Sequence, residues 1–366
     1  MNLRSKFDIQ SSPGHGTTVR IVRWRSQRMD QNLLQEPIVL AVVESSQVAE
    51  SRRRARETAL ECGLTGEQAG CAALIATEAA TNLIKHAGGG EIILRANTAP
   101  RSIDIVAIDR GPGMTNLAAC LRDGYSTVGT GGKGLGAIVR QSSAFDAYSQ
   151  LGRGAVVFAR VAGAAPSPIP PGEFVVDGLS LRMRTEQVSG DAWAARTRRS
   201  GATVTIVDGL GHGAVANEAA MDRLRAFEGH GAETEPLTIL DTMNRAPLKT
   251  RGAAVAIADI DAGRQTVKYI GIGNISALIV GPESSRRTVS VHGTAGRHLR
   301  RLQQFTHPWN SNSVLIMHSD GVTSHLNFDN YPGLAERHPL VVSAVLLRDW
   351  ARGRDDATVV VARQSA

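Results

Sequence analysis

Four aspartates in the second half of the chain stand where apolar, strand-like runs end or begin. They are Asp191 in SGD, Asp208 in VTIVDGLGHG, Asp320 in SVLIMHSDGV and Asp355 in RDDATVVVAR. Carboxylates brought together from such distant positions repel one another unless cations lie between them. An all-oxygen donor set suits Mg²⁺ or Mn²⁺, and no His/Cys cluster points to zinc. Two such ions roughly 3.5–4 Å apart lower the pKa of a shared water, whose hydroxide attacks phosphorus without a protein nucleophile. Asp-Gly is also a common turn pair, so a single DG carries little weight. Four acids in this arrangement carry the hydrolytic reading.

The first half holds a different set. In LIATEAATNLIKHA (74–87) the apolar period is helical, and Glu78 and Asn82 lie four apart on one face. The Asn82 amide oxygen can ligate Mg²⁺ without adding charge beside a triphosphate, and Glu78 can face the attacking group. SIDIVAID (102–109) reads as a strand that delivers Asp109 into DRGPGM. A buried carboxylate there can accept a hydrogen bond from an adenine amino group, while Gly111 and Gly113 let the backbone approach the base. GTGGKGLG (129–136) then runs into a helix, so Gly132, Gly134 and Gly136 present backbone N–H groups to phosphates and Lys133 adds a charge. The spacing is neither that of a Walker loop nor that of a Rossmann turn. A polar helix stripe or a tight turn would account for any one box; three in this order define a pocket for ATP with Mg²⁺.

These residues need two scaffolds, and 366 residues suit two domains. The Pro/Ser/Gly-rich run GAAPSPIPPG (163–172) has no helical or strand period and reads as a linker. Before it the pattern runs strand, helix, helix, strand, strand, helix, strand. After it short Val/Ile-rich strands dominate, with a helical stretch near 213–228. Both halves read as α+β domains. The expected division is 29–162 for the ATP-binding domain, 163–174 for the linker and 175–366 for the phosphatase-like domain. Residues 1–28 stand apart. SKFDIQSSPGHGTTV (5–19) repeats SAFDAYSQLGRGAVV (143–157), which closes the nucleotide domain. The first copy reads as the vestigial tail of an upstream domain, or as sequence ahead of a true start at Met29, and is expected to be dispensable.

Composition narrows the partners. No apolar stretch approaches a membrane span and no secretory signal is evident. Cys62, Cys71 and Cys120 share no CxxC spacing, which fits free thiols in a reducing cytoplasm. The net charge of +7 is scattered, and its one dense run, Arg52 to Arg56, has no stacking aromatics beside it. That run reads as a solvated helix face or a protein-docking surface rather than a nucleic-acid contact.

Residues 38–160 resemble the GHKL ATPase superfamily, in its branch of anti-sigma serine kinases: Glu78/Asn82, Asp109/Gly111/Gly113 and the glycine loop match the N, G1 and G2 boxes. DGYST (123–127) and FDIQSSPGHGTT are similar to the switch kinases of the stressosome. This resemblance implies a Bergerat-type α/β sandwich, with Asn82 holding Mg²⁺, Asp109 reading adenine and Glu78 acting as base toward a substrate serine. Without a dimerisation helix carrying a phospho-acceptor histidine, the chain does not read as a sensor histidine kinase. Residues 175–365 resemble the PPM-type serine/threonine phosphatases of the SpoIIE-like group, and GIGNISALI (271–279) is similar to their stressosome members. That implies a β-sandwich flanked by helices, with two Mn²⁺ or Mg²⁺ ions bridged by Asp208 and helped by the Gly209 carbonyl. Asp320 and Asp355 would complete one shell, with Asp356 competing for the Asp355 role. Asp191 would serve the second or a third ion. Glu186 is a candidate for a further acid, and His212 for a helix cap or a phosphate contact, the cap being favoured.

The expected function is that of a bifunctional, cytoplasmic partner-switching regulator. One half dephosphorylates phosphoserine or phosphothreonine on a STAS-type anti-sigma antagonist or a stressosome scaffold protein, and the other binds Mg–ATP and phosphorylates the same class of partner. The alternative is an ATP-dependent module that grips a sigma factor or scaffold and regulates the attached phosphatase.

Overall fold

The structure is a computed structural model that describes residues 5–12, 16–23, 29–31, 36–115, 117, 134–164, 170–246, 251–282, 284–296 and 302–365. The first scaffold begins with β4 (Ile38–Val42), followed by helices α1 (Ser46–Glu61) and α2 (Gly66–Asn82). Thr65 and Gln68 start α2 with a reciprocal capping box. Its inner face is almost all alanine (Ala69, Ala72, Ala73, Ala76, Ala79, Ala80), so the helix packs closely. The helical path continues as a wider turn over Leu83–Ala87. Strands β5 (Gly90–Thr98), β6 (Arg101–Ile108), β7 (Ala144–Gln150) and β8 (Gly154–Ala162) complete an antiparallel sheet of order β4-β5-β6-β8-β7. Helices α1, α2 and α3 (Gly134–Gln141) share a core with one face of this sheet, built on Ile75, Leu83, Ile92, Leu94, Ile103, Ile105 and Ile138.

The second scaffold is two antiparallel sheets face to face. With β12 (Ala253–Asp261), β15 (Ser285–Val289) and β16 (Gln304–Pro308) included, one has the order β16-β13-β12-β11-β10-β3 and the other β15-β14-β17-β18-β9. The strands that matter most are β9 (Phe174–Leu181), β10 (Asp191–Arg198), β11 (Gly201–Gly209), β13 (Thr266–Ile272), β14 (Ser276–Val280), β17 (Val314–His318) and β18 (Ala357–Gln364). Trp193, Val204, Ile206, Tyr269, Leu315, Met317 and Val360 fill the space between the sheets. Helices α4 (Gly213–Glu228) and α5 (Pro236–Arg245) cover the six-stranded sheet. The backbones of β1 (Ser5–Ser12) and β2 (Gly16–Arg23) pair antiparallel, and β3 (Met29–Gln31) adds to the edge of the six-stranded sheet through β10.

Helix α6 (Pro339–Trp350) joins the two scaffolds. Ten of its twelve residues are buried. A helix apolar on every side needs a partner on every side. One side of α6 lies on β9 and β18, and the other meets Val106, Ile108, Tyr148, Val156 and Phe158 on the open face of the ATPase sheet. The layers therefore run helices, sheet, α6, sheet, sheet, helices. The α+β architecture of two domains agrees with the sequence reading. Among the described residues no helix is long and apolar enough to cross a membrane.

Candidate active sites

Strands β10 and β11 pair so that Asp191 stands directly opposite Asp208. Asp320 follows β17, and Asp355 and Asp356 precede β18, the neighbour of β17. The two sheets deliver these ends to one place, where Asp208 lies in the field of Asp191, Asp320 and Asp355. Burial, then the charges of Asp191, Asp320 and Asp355, push the Asp208 carboxyl up to about 9. Burial drives Asp191 up to about 7, opposed by hydrogen bonds from Ser319 and Thr358 and reinforced by Asp356 and Asp320. Burial and Asp355 also raise Asp320. One oxygen of Asp191, Oδ2, is buried with no hydrogen-bond partner. Among the described residues no three acidic, imidazole or thiol groups already converge as a closed ion cage. The shared field and the orphaned Oδ2 nevertheless have the sign and chemistry that a divalent cation satisfies.

The recurring Asp-Gly pairs have a packing cause. Neither Gly209 nor Gly321 has a positive φ. A Cβ on Gly209 would collide with the Ala216 carbonyl, and one on Gly321 with the Asp356 carbonyl. The glycines let the acid-bearing segments press against their neighbours. Asp355 and Asp356 sit differently. Asp356 is 3% exposed and accepts from the amides of Met183 and Gly190, each at 2.7 Å, which ties down the SGD loop. Asp355 is exposed, and its charge acts on Asp208 and Asp320. Asn274, which the sequence reading passed over inside GIGNISALI, donates to Asp320 Oδ2 at 2.6 Å and also hydrogen-bonds Asp208. His212 occupies the N-cap position of α4, but its ring makes no cap and its Nδ1 meets Glu186 Oε1 at 2.6 Å. A carboxylate within reach draws the imidazole away from the helix end.

In the first scaffold Glu78 and Asn82 sit on the last turns of α2, against the start of α3. A Cβ on Gly134 would lie 3.2 Å from Asn82 Oδ1 and 3.3 Å from Glu78 Oε2, so any larger residue there would press on both side chains. Asp109 follows β6, and its Oδ1 accepts from the amides of Gly111 at 2.8 Å and Ala155 at 3.2 Å. Gly111 abuts Ala87, where a Cβ would fall 2.7 Å from the alanine Cα; this packs the Asp109 turn on the end of the α2 extension. Gly113 has φ +75° and lies against Gln150. Gly136 is buried in α3. Gly132, Lys133 and the DGYST segment lie outside the described residues.

The family model for histidine kinase-like ATPase domains matches residues 42–160, and that for stage II sporulation protein E (SpoIIE) matches residues 199–365. The chain is 33% identical over 110 residues to the serine/threonine-protein kinase RsbT of Bacillus subtilis (strain 168), covering 29% of this chain and 82% of RsbT. It is 24% identical over 152 residues to the phosphoserine phosphatase RsbX of the same organism, covering 40% of this chain and 76% of RsbX. A crystal structure of RsbX in complex with magnesium is similar with a TM-score of 0.45 and 20% identity, over 54% of this chain and 98% of that one. The chain belongs, through its first half, to the histidine kinase-like ATPase family that includes RsbT. Its second half is a serine/threonine phosphatase domain of the SpoIIE type.

Proposed function

We propose that this protein is a cytoplasmic partner-switching regulator that removes phosphate from serine or threonine on a STAS-type anti-sigma antagonist or a stressosome protein. We infer also that its ATPase domain phosphorylates the same class of partner. The observation that carries the hydrolytic reading is the meeting of acids at the strand ends: Asp191 faces Asp208 across one rung, and burial together with neighbouring acids raises Asp191, Asp208 and Asp320. Asp208 and the Gly209 carbonyl would hold both of two Mn²⁺ or Mg²⁺ ions, Asp320 and Asp355 one of them, and Asp191 the second or a third. Bound there, the ions supply Lewis acidity and a water of low pKa. The chain's own part is to hold Asp208 and Asp320 in register through Asn274 and to fix the SGD loop through Asp356. Manganese-dependent hydrolysis of p-nitrophenyl phosphate tests this. Asp208→Asn and Asp320→Asn should each reduce it to background, and full activity in both would end the assignment.

In the ATPase domain Asn82 would hold Mg²⁺, Asp109 would accept from the adenine amino group, and Glu78 would take the proton of the substrate hydroxyl. Gly132, Lys133, Gly134 and Gly136 would face the phosphates. The identity with a named serine/threonine kinase supports transfer. The burial of α6 between the domains favours a second reading, in which the ATPase half grips a sigma factor or scaffold and regulates the phosphatase without transferring phosphate. Labelled-phosphate transfer to a STAS partner separates them. Loss of transfer in Glu78→Ala with ATP binding retained supports the kinase, and no transfer by the wild type despite normal ATP binding supports the module.

A further inference from the structure

We propose that the C-terminal turn of α6 couples the nucleotide pocket to the acid cluster, so that occupancy of each changes the affinity of the other; this rests on reading Asn82 and Asp109 as a nucleotide pocket. The Arg348 side chain is 2% exposed, and its Nη1 donates to the Asp109 carbonyl oxygen at 3.2 Å. Its Nε and Nη2 bind the neighbouring Asp349 carboxylate at 2.8 and 2.9 Å. The same carboxylate accepts from Tyr331 at 3.0 Å and pairs with Arg110 at 3.4 Å. Two consecutive residues of α6 thus grip two consecutive residues of the turn meant to read adenine.

The next residues of the chain reach the other site. The Trp350 carbonyl accepts from Thr323 N at 3.0 Å, Ala351 bridges to Val322, and Arg352 N donates to the Gly321 carbonyl at 2.8 Å. Gly321 directly follows Asp320 and has no slack against Asp356. Asp355 lies three residues beyond Arg352. The path from Asp109 to Asp320 is therefore a guanidinium, one helical turn and a short set of backbone hydrogen bonds. Asp109 is itself tethered through Oδ1 to Gly111 and Ala155, so a ligand pulling on its carboxylate moves the turn that Arg348 holds. Close packing on both sides makes α6 shift as a body rather than deform. Two ligands that bias one such element must affect each other reciprocally.

The test is the dissociation constant of a fluorescent ADP analogue on the full chain at fixed Mg²⁺, with and without Mn²⁺. Asp208→Asn, which disables the acid cluster, is the control that reports the direct effect of Mn²⁺ on the nucleotide and its own pocket. The expected result is a change of about fivefold or more in the wild type beyond that in Asp208→Asn, falling below about twofold in Arg348→Met. Arg110→Ala, at the exposed end of the same clamp, is the second variant should Arg348→Met not fold, and its factor should fall by at least about twofold. Equal changes in the wild type and Asp208→Asn, or an undiminished factor in the folded clamp variants, would overturn the coupling while leaving the pocket standing. Absence of any nucleotide binding would overturn the pocket reading and the coupling with it.

Discussion

Asp191 and Asp208 face each other across one rung of a β-ladder, where like charges destabilise. In the folded chain without divalent cations they hold protons well above the ordinary 3.8, to about 7 and about 9. The unfolded chain releases those protons near pH 4. Between these values the folded state binds more protons than the unfolded, so stability falls as pH rises from about 4 toward about 9. In chelator the melting temperature should therefore drop between pH 5 and pH 9. At pH 8 Asp208→Asn should melt about 2–4 °C higher than the wild type, a gain on the order of 1 kcal/mol. Mn²⁺ should raise the wild type and leave the variant unchanged. A metal-free variant that melts lower than the wild type at pH 8 would contradict the shared-charge account. The four aspartates stand out in the sequence because each sits where an apolar run ends or begins. Asn274 does not, because its amide reaches Asp320 and Asp208 only through the β13–β14 turn and the packing of two sheets. Asp355 and Asp356 were inseparable for a related reason: their different partners, the amides of Met183 and Gly190 on one side and the acid cluster on the other, come from distant sequence.

At the level of elements, the proposed nucleotide site depends on α3 starting close against α2. Gly134→Ala would put a methyl carbon 3.2–3.4 Å from Asn82 and Glu78 side-chain atoms, tighter than an ordinary contact. At the first position of α3 the helix gains only part of the about 1 kcal/mol by which alanine is preferred over glycine in a helix interior. The expected outcome is nucleotide affinity lowered by roughly tenfold, about 1.4 kcal/mol, with the melting temperature unchanged or slightly raised. Fluorescent nucleotide titration beside a thermal melt checks both, and unchanged affinity would show that the approach of the two helices does not shape the pocket. The periodicity of 74–87 gave α2 away, because one face meets the core and the other the site. Helix α6 had no such signature. PLVVSAVLLRDW is buried between two sheets, so it has no polar face, and period cannot distinguish it from a buried strand.

The whole molecule is two domains closed on one another, and the closure includes a buried ion cluster. Arg95 bonds Asp104 at 2.6 Å in its own domain and Asp177 of β9 at 2.7 Å, while Arg160 bonds Asp104 at 2.6 Å and reaches Asp177 at 3.4 Å. Against the penalty of burial, Arg160 and Arg95 hold the Asp104 carboxyl well below the usual range, and Arg95 and then Arg160 do the same for Asp177. For depressed acids the stabilisation is present above the unfolded pKa near 4 and is lost as pH falls toward the folded value, so the closed form should persist at neutral pH and open only in acid. Nothing in the spacing announced this contact. Asp177 is another Asp-Gly acid, but it lies within a strand rather than at its end, and its partners sit across the linker in the other domain. Asp177→Ala would leave the 4%-exposed Arg95 side chain with the Gly178 carbonyl and a share of Asp104, a loss of about 3–5 kcal/mol, since two buried guanidiniums would then face one carboxylate. Arg95→Leu combined with Asp177→Leu removes one charge of each sign and keeps the Asp104–Arg160 pair, so it should recover most of that loss. Denaturant unfolding of the single and paired variants measures the difference. A double variant no more stable than Asp177→Ala would mean that the ion cluster, rather than the apolar surfaces around α6, is what holds the two domains together.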